Sequence, residues 1–151
     1  MLNVVNESKE IITGLDSVTI QKWISGIKGG RTLTIDVDFP LSVIHAGHVI
    51  ITKDGDYKPM PLSQKTTTSG GTTTPVVDED GNPVYEYGTL PSGYAYAGVL
   101  YRSILASKPA ASIMINGEVN SETVPYPMTS IKSAFKTACP HIVFIKDEIA
   151  E

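Results

Sequence analysis

Ala110-Ala111-Ser112-Ile113-Met114-Ile115-Asn116-Gly117-Glu118-Val119-Asn120 is the stretch on which the fold class turns. Ile113 and Ile115 share one face of an extended chain, because side chains alternate along a strand, and Gly117-Glu118-Val119-Asn120 is expected to end it. Upstream, Ala97-Gly98-Val99-Leu100 begins another strand. Downstream the period changes. Ile131, Ala134, Phe135 and Ala138 fall on one face of a short helix, which Thr129 or Ser130 can cap and Pro140 stops. Ile142-Val143-Phe144-Ile145 is then a continuous apolar run of strand length, as expected of a strand buried on both faces. The acidic end, Asp147 to Glu151, reads as solvated.

Between Arg31 and Leu62, Leu33, Ile35 and Val37 alternate with Thr32, Thr34 and Asp36, the period of a strand that Pro40 closes. Val49-Ile50-Ile51 makes a second strand, and Lys53-Asp54-Gly55-Asp56 a turn whose Asp-Gly pair suits positive φ. Tyr57 to Leu62 returns, confined by Pro59 and Pro61 to an edge or an irregular extended segment. From Ser63 to Gly93 the composition shifts. Thr66 to Thr74 is low in complexity and nearly devoid of apolar residues, so it reads as a mobile surface loop. Val76-Val77 and Val84 to Tyr87 flank Asp80-Gly81-Asn82 as a small hairpin. Met1 to Gly30 is ambiguous: Leu2, Val4 and Val5, Ile11-Ile12, or Val18 and Ile20, suit short strands, whereas Trp23, Ile24 and Ile27 equally suit a helical turn; strand is the preferred reading. The sum predicts a mainly β fold with one short helix, a compact β-barrel or sandwich. An N-terminal arm and first strands occupy residues 1–30, and a β-rich domain occupies 31–151 with an inserted, flexible excursion at 63–93.

Composition narrows the function. The chain has 151 residues, 41% of them hydrophobic and 19% charged, which is the make-up of a folded domain rather than a disordered one. Net charge is −4 and the basic residues are scattered singly, so direct contact with nucleic acid is not expected. No apolar run approaches the ~20 residues of a membrane helix, and the N-terminus lacks the basic start and apolar core of a signal peptide. We therefore expect a soluble protein made in a cytoplasm. The single cysteine, Cys139, permits no internal disulfide and reads as a buried thiol.

Each candidate for chemistry falls short on ligand count or spacing. His45-Ala46-Gly47-His48 offers two imidazoles, but Gly47 and the following Val-Ile-Ile point to a turn into a strand. Asp36, Asp38 and Asp54 supply no third ligand at a diagnostic spacing. Cys139 and His141 flank Pro140 without a group to orient the base. Gly26-Ile27-Lys28-Gly29-Gly30-Arg31 lacks the Gly-Lys-Ser/Thr ending of a phosphate loop and precedes a strand. Asp78, Glu79, Asp80 and Asn82 lack the calcium-loop pattern. Tyr85, Tyr87, Tyr94, Tyr96 and Tyr101 suit either a contact surface or the packing of a β domain. No catalytic, metal or cofactor residue is assigned, and we expect no enzyme.

Two stretches resemble a known family. Ala97-Gly98-Val99-Leu100, then Ala110 to Asn120 with its Gly117-Glu118-Val119-Asn120, then a short helix and a final apolar strand, is similar in order to the C-terminal half of phage head decoration proteins. Ile44 to Ile50, with Asp54-Gly55 and Tyr57-Lys58-Pro59, looks like that family's Ala-Gly, apolar strand and variable hairpin. The likeness covers about half the chain; residues 1–30 and 63–93 depart from it. It also extends to small head proteins and head-fibre bases of phages of gut bacteria. The resemblance implies a β-barrel-like fold, homotrimers on the capsid exterior, the major capsid protein as partner and a clamping role between capsid subunits. Leu2, Val4 and Val5 would then form an arm that adds a strand to a capsid sheet edge, and Trp23 is a further candidate for a capsid or subunit contact, given how often tryptophan anchors interfaces. The alternative is a receptor- or carbohydrate-binding module on the virion surface, with the tyrosines and the Thr-rich loop carrying recognition.

Overall fold

The computed structural model describes residues 15–146, so the arm residues Leu2, Val4 and Val5 and the acidic end lie outside the described residues. In chain order the elements are α1 (Asp16–Thr19), β1 (Ile20–Gly26), β2 (Arg31–Thr32), β3 (Val43–Ile44), β4 (Val49–Lys53) and β5 (Asp56–Pro59). There follow β6 (Leu62–Gln64), β7 (Thr66–Ser69), β8 (Thr72–Pro75), β9 (Tyr85–Tyr87) and β10 (Ala95–Leu100). The chain closes with β11 (Ile104–Leu105), β12 (Ala110–Ala111), β13 (Ile113–Asn120), α2 (Lys132–Ala138) and β14 (Ile142–Ile145).

β13 is the hub. One of its edges takes β1; the other takes β10 at Ile113 and Met114 and, further along, β14 at Gly117 to Asn120. The main sheet thus runs β1-β13-β10-β4-β5, with β14 also on β13. Among the described strands only β14 lies parallel to its neighbour, because α2 carries the chain back before it enters the sheet. Gly117-Glu118-Val119-Asn120 therefore prolongs the strand it was expected to end.

Both glycines of the quoted motifs sit where backbones meet. A Cβ on Gly98 would lie 2.2 Å from the Met114 carbonyl oxygen, and one on Gly117 2.3 Å from that of Lys22. Any larger residue would push β10 or β1 off the hub.

Alternation then divides the apolar side chains between two faces. Val49, Ile51, Val99, Met114 and Val119 enter one core, capped by Ile131, Phe135 and Cys139 from α2 and its flanks. Ile50, Leu100 and Ile113 enter the other, covered by Ile44 and Ala111 from the short strands β3 and β12 and by Leu33 from an irregular segment. Strand far exceeds helix and the sheet does not close, so the mainly β expectation holds and a closed barrel does not. Among the described residues the sheet stops at β1 on one side and β5 on the other; Pro59, which cannot donate to a ladder, lies in β5.

Several local expectations need correction. Leu33 to Val37 forms no strand; Leu33 donates to Pro109 and Thr34 to Tyr57, so successive amides go to different partners and Val37 is left fully exposed at a turn. Residues 16–19 form a helical turn, so the described residues hold a second, very short helix; Trp23 and Ile24 lie in strand, the reading preferred for that region. The buried stripe of α2 is Ile131, Phe135 and Cys139, with Ala134 and Ala138 exposed; Ile131 occupies the cap position without a side-chain cap, so neither Thr129 nor Ser130 serves. β14 is buried on one face only, since Val143 is 51% exposed. Thr66 to Thr74 is a regular hairpin rather than a loop, Thr67 opposite Thr74 and Thr68 opposite Thr73.

Candidate functional site

The candidates from sequence are mostly consumed by the fold. His48 points into the first core, where its Nε2–H donates to the Met60 carbonyl at 3.0 Å. Phe39, Tyr87 and Tyr126 surround its ring edge-on at 5.4 to 6.0 Å. Burial holds its pKa down at about 4, so it stays neutral over most of the pH range. His45, at the start of the same turn, is exposed. Among the described residues no three His, Cys, Asp or Glu side chains converge on a point where a metal could sit. Asp36 is engaged with Lys58 at 2.9 Å, and Asp54 sits at the tip of the β4–β5 turn with φ of 50°.

The other motifs resolve in the same way. The Cys139 thiol faces the Tyr96 carbonyl, and burial pushes its pKa up to about 11, which keeps it protonated and non-nucleophilic. His141 is exposed on the far side of Pro140. Gly29 and Gly30, both at positive φ, make the turn from β1 to β2, and the Arg31 guanidinium bonds to the Lys28 and Gly30 carbonyls within that turn. Asp78 accepts from the amides of Asp80 and Asn82, both at 2.9 Å, so its carboxylate serves the hairpin tip.

The tyrosines divide. Tyr87 is buried and its hydroxyl accepts from the Val49 amide at 3.1 Å, while Tyr96 packs edge-on against Phe135. Tyr94 lies under the Lys58 ammonium at 4.6 Å. Tyr101 is the one that leads outwards, because Trp23 rests on it at 4.5 Å and Arg102 lies over its ring at 5.3 Å.

Trp23 is thus neither a core residue nor an isolated one. Its register partner is Gly117, two residues from Val119, the partner of Ile20. Trp23 and Ile20 therefore share the inner face of β1, and Trp23, at the border of the sheet, is left 40% exposed. Tyr101 and Ile20 also line a cleft of about 510 Å³ with Asp16, Ser17, Arg102 and Ser103.

One carboxylate in that cleft is held fast. Asp16 Oδ1 accepts from the Ser103 hydroxyl at 2.6 Å and Oδ2 from the Ser103 amide at 2.8 Å. Ser103 Oγ itself accepts from the Ala46 amide at 3.0 Å, which directs its proton to Asp16. This order of bonds is a clamp, not a nucleophile with a base: no imidazole receives the serine proton. Sequence reasoning missed Asp16, Arg102 and Ser103, since Asp16 and Ser103 stand 87 positions apart and neither lies in a motif.

The chain matches no family model, no curated protein and no solved structure. Function must be argued from this geometry.

Proposed function

We propose that the chain is a structural protein of a phage virion that decorates the outside of the capsid and stabilises it by bridging capsid subunits. The observation that carries this reading is the placement of the motifs behind the resemblance. The strand with Gly98-Val99-Leu100 and the final strand Ile142–Ile145 both lie on the strand that ends Gly117-Glu118-Val119-Asn120, and the short helix covers them. This is the element order expected of the family's C-terminal half. The open edge of the sheet adds support. Among the described residues β1 has one strand neighbour only, and it carries Trp23 and the half-exposed Ile24. The first fourteen residues, with Leu2, Val4 and Val5, join the body at Leu15, one short helical turn before that edge. On this reading the arm adds a strand to a capsid sheet, and three copies on one site multiply a weak contact. The site of action is the virion exterior, the partner is the major capsid protein and the assembly is a homotrimer.

Cosedimentation tests the proposal directly. Purified chain is mixed with phage heads that lack it, from the virus whose genome encodes it, and the heads are then heated. Binding with a raised temperature of genome release is expected. A chain that stays in the supernatant, or binds without changing that temperature, would refute the bridging role.

A further inference from the structure

We infer that the cleft between α1 and the end of β10 binds a neutral saccharide, one ring lying against Tyr101 and its hydroxyls bonded to Asp16 and Arg102. The size is suitable: about 510 Å³ falls within the ~300–1,000 Å³ usual for small-molecule sites.

The lining selects the ligand class by its charges. Asp16 brings a carboxylate and Arg102 a guanidinium to the same cleft, and neither forms an ion pair among the described residues. An anion entering would meet Asp16, and a cation would meet Arg102. A neutral ligand that both donates and accepts hydrogen bonds meets neither penalty. Vicinal hydroxyls satisfy this requirement, because they donate to a carboxylate and accept from a guanidinium.

Preorganisation favours the same reading. The two bonds from Ser103 fix both oxygens of Asp16, and the Ala46 amide fixes Ser103 in turn, so the carboxylate keeps one orientation with lone pairs to spare. Arg102 is exposed and, among the described residues, its only recorded partner is the face of Tyr101, so its five donors remain available. Tyr101 supplies the third element. It lines the cleft, and Trp23 rests on it at 4.5 Å, tilted 56°, so the cleft wall carries an apolar ring of the kind that the C–H face of a sugar ring covers.

Trp23 is the only tryptophan in the chain and packs on Tyr101 of the cleft wall, so its emission reports on a change at that wall. Full-length protein is titrated with maltose, cellobiose, lactose and N,N′-diacetylchitobiose. At least one sugar is expected to shift or quench the emission saturably in the millimolar range. Arg102→Ala should weaken that binding about tenfold, the loss of one good hydrogen-bonding group, while the thermal midpoint stays unchanged. Asp16→Asn, which keeps the shape of the clamp, should weaken it too. Linear or absent responses to all four sugars would overturn the inference, as would an Arg102→Ala protein that binds like the wild type. Neither result bears on the capsid assay: heads can be bound by a chain that takes no sugar.

Discussion

The main sheet and the excursion between residues 63 and 93 are both β structure, made of opposite materials. The sheet is held by side chains: Val49, Ile50, Ile51, Val99, Leu100, Ile113 and Met114 are all fully buried, alternating between two cores. The excursion is held by its backbone. Every residue of β7 and β8 is exposed, and what joins them is a regular ladder with Thr68 and Thr73 hydroxyls 3.2 Å apart. Gly70 and Gly71, at φ of 57° and 82°, supply the tight turn that such a hairpin needs. The excursion is rooted at its base, where β9 pairs with β6, Tyr87 enters the first core and Leu90 packs against it. Regular strands thus do not require a local core, provided that one end is anchored and the residues are β-branched enough to stay extended.

If the sheet depends on burial, removing the largest fully buried side chain packed against it should cost most. Phe135 is fully buried between Tyr96 and Phe144, with ring centroids at 5.6 and 5.8 Å. Phe135→Ala should lower unfolding free energy by about 3–5 kcal/mol, the usual range for an emptied aromatic site. Urea denaturation followed by circular dichroism measures it. A loss below about 1 kcal/mol would mean that α2 is not the lid of the first core.

Acid should weaken the sheet by a smaller step. His48 titrates near its ordinary value of 6.5 when unfolded and at about 4 when folded, with desolvation the main cause. Between those values the unfolded chain binds the extra proton. The contribution of neutral His48 is thus complete above about pH 6.5 and declines as pH falls towards 4, by about 3 kcal/mol in all. Comparison with His48→Phe isolates this from the carboxylates: the difference between the two stability curves should change across that window. A constant difference would show that His48 is not buried neutral.

Legibility followed the same division. Where burial decides structure, the residues announced it: Val49-Ile50-Ile51, the Asp54-Gly55 turn, the strand at Ala97 to Leu100 and the helix before Pro140 all appear in the structure. Where hydrogen-bond partners decide it, alternation misled. Leu33 and Ile35 do turn inwards, but their segment forms no ladder because its amides reach Pro109 and Tyr57, which no local pattern specifies. The Thr-rich run was misread in the opposite sense, since low complexity without apolar residues resembles a linker even when a glycine pair and threonines favour a hairpin. The cleft was the least legible. It joins a helical turn before β1 to the end of β10, and only the folded chain brings Asp16 to Ser103.

The smallest effect should come from cutting the excursion short. The Val76 amide donates to the Lys65 carbonyl at 2.8 Å, so the two ends of the β7–β8 hairpin are already neighbours. Replacing residues 66–75 by Asn-Gly closes the ladder there with a two-residue turn. The segment removed touches neither core, so unfolding free energy should change by no more than about 1 kcal/mol, as for a surface change away from packed features. Thermal unfolding of the shortened chain beside Phe135→Ala gives the comparison on one scale. Equal losses would mean that the hairpin folds as one unit with the sheet, and that backbone pairing contributes to the body what burial was taken to supply. A near-zero loss leaves the hairpin as a projection the body does not need for its own stability.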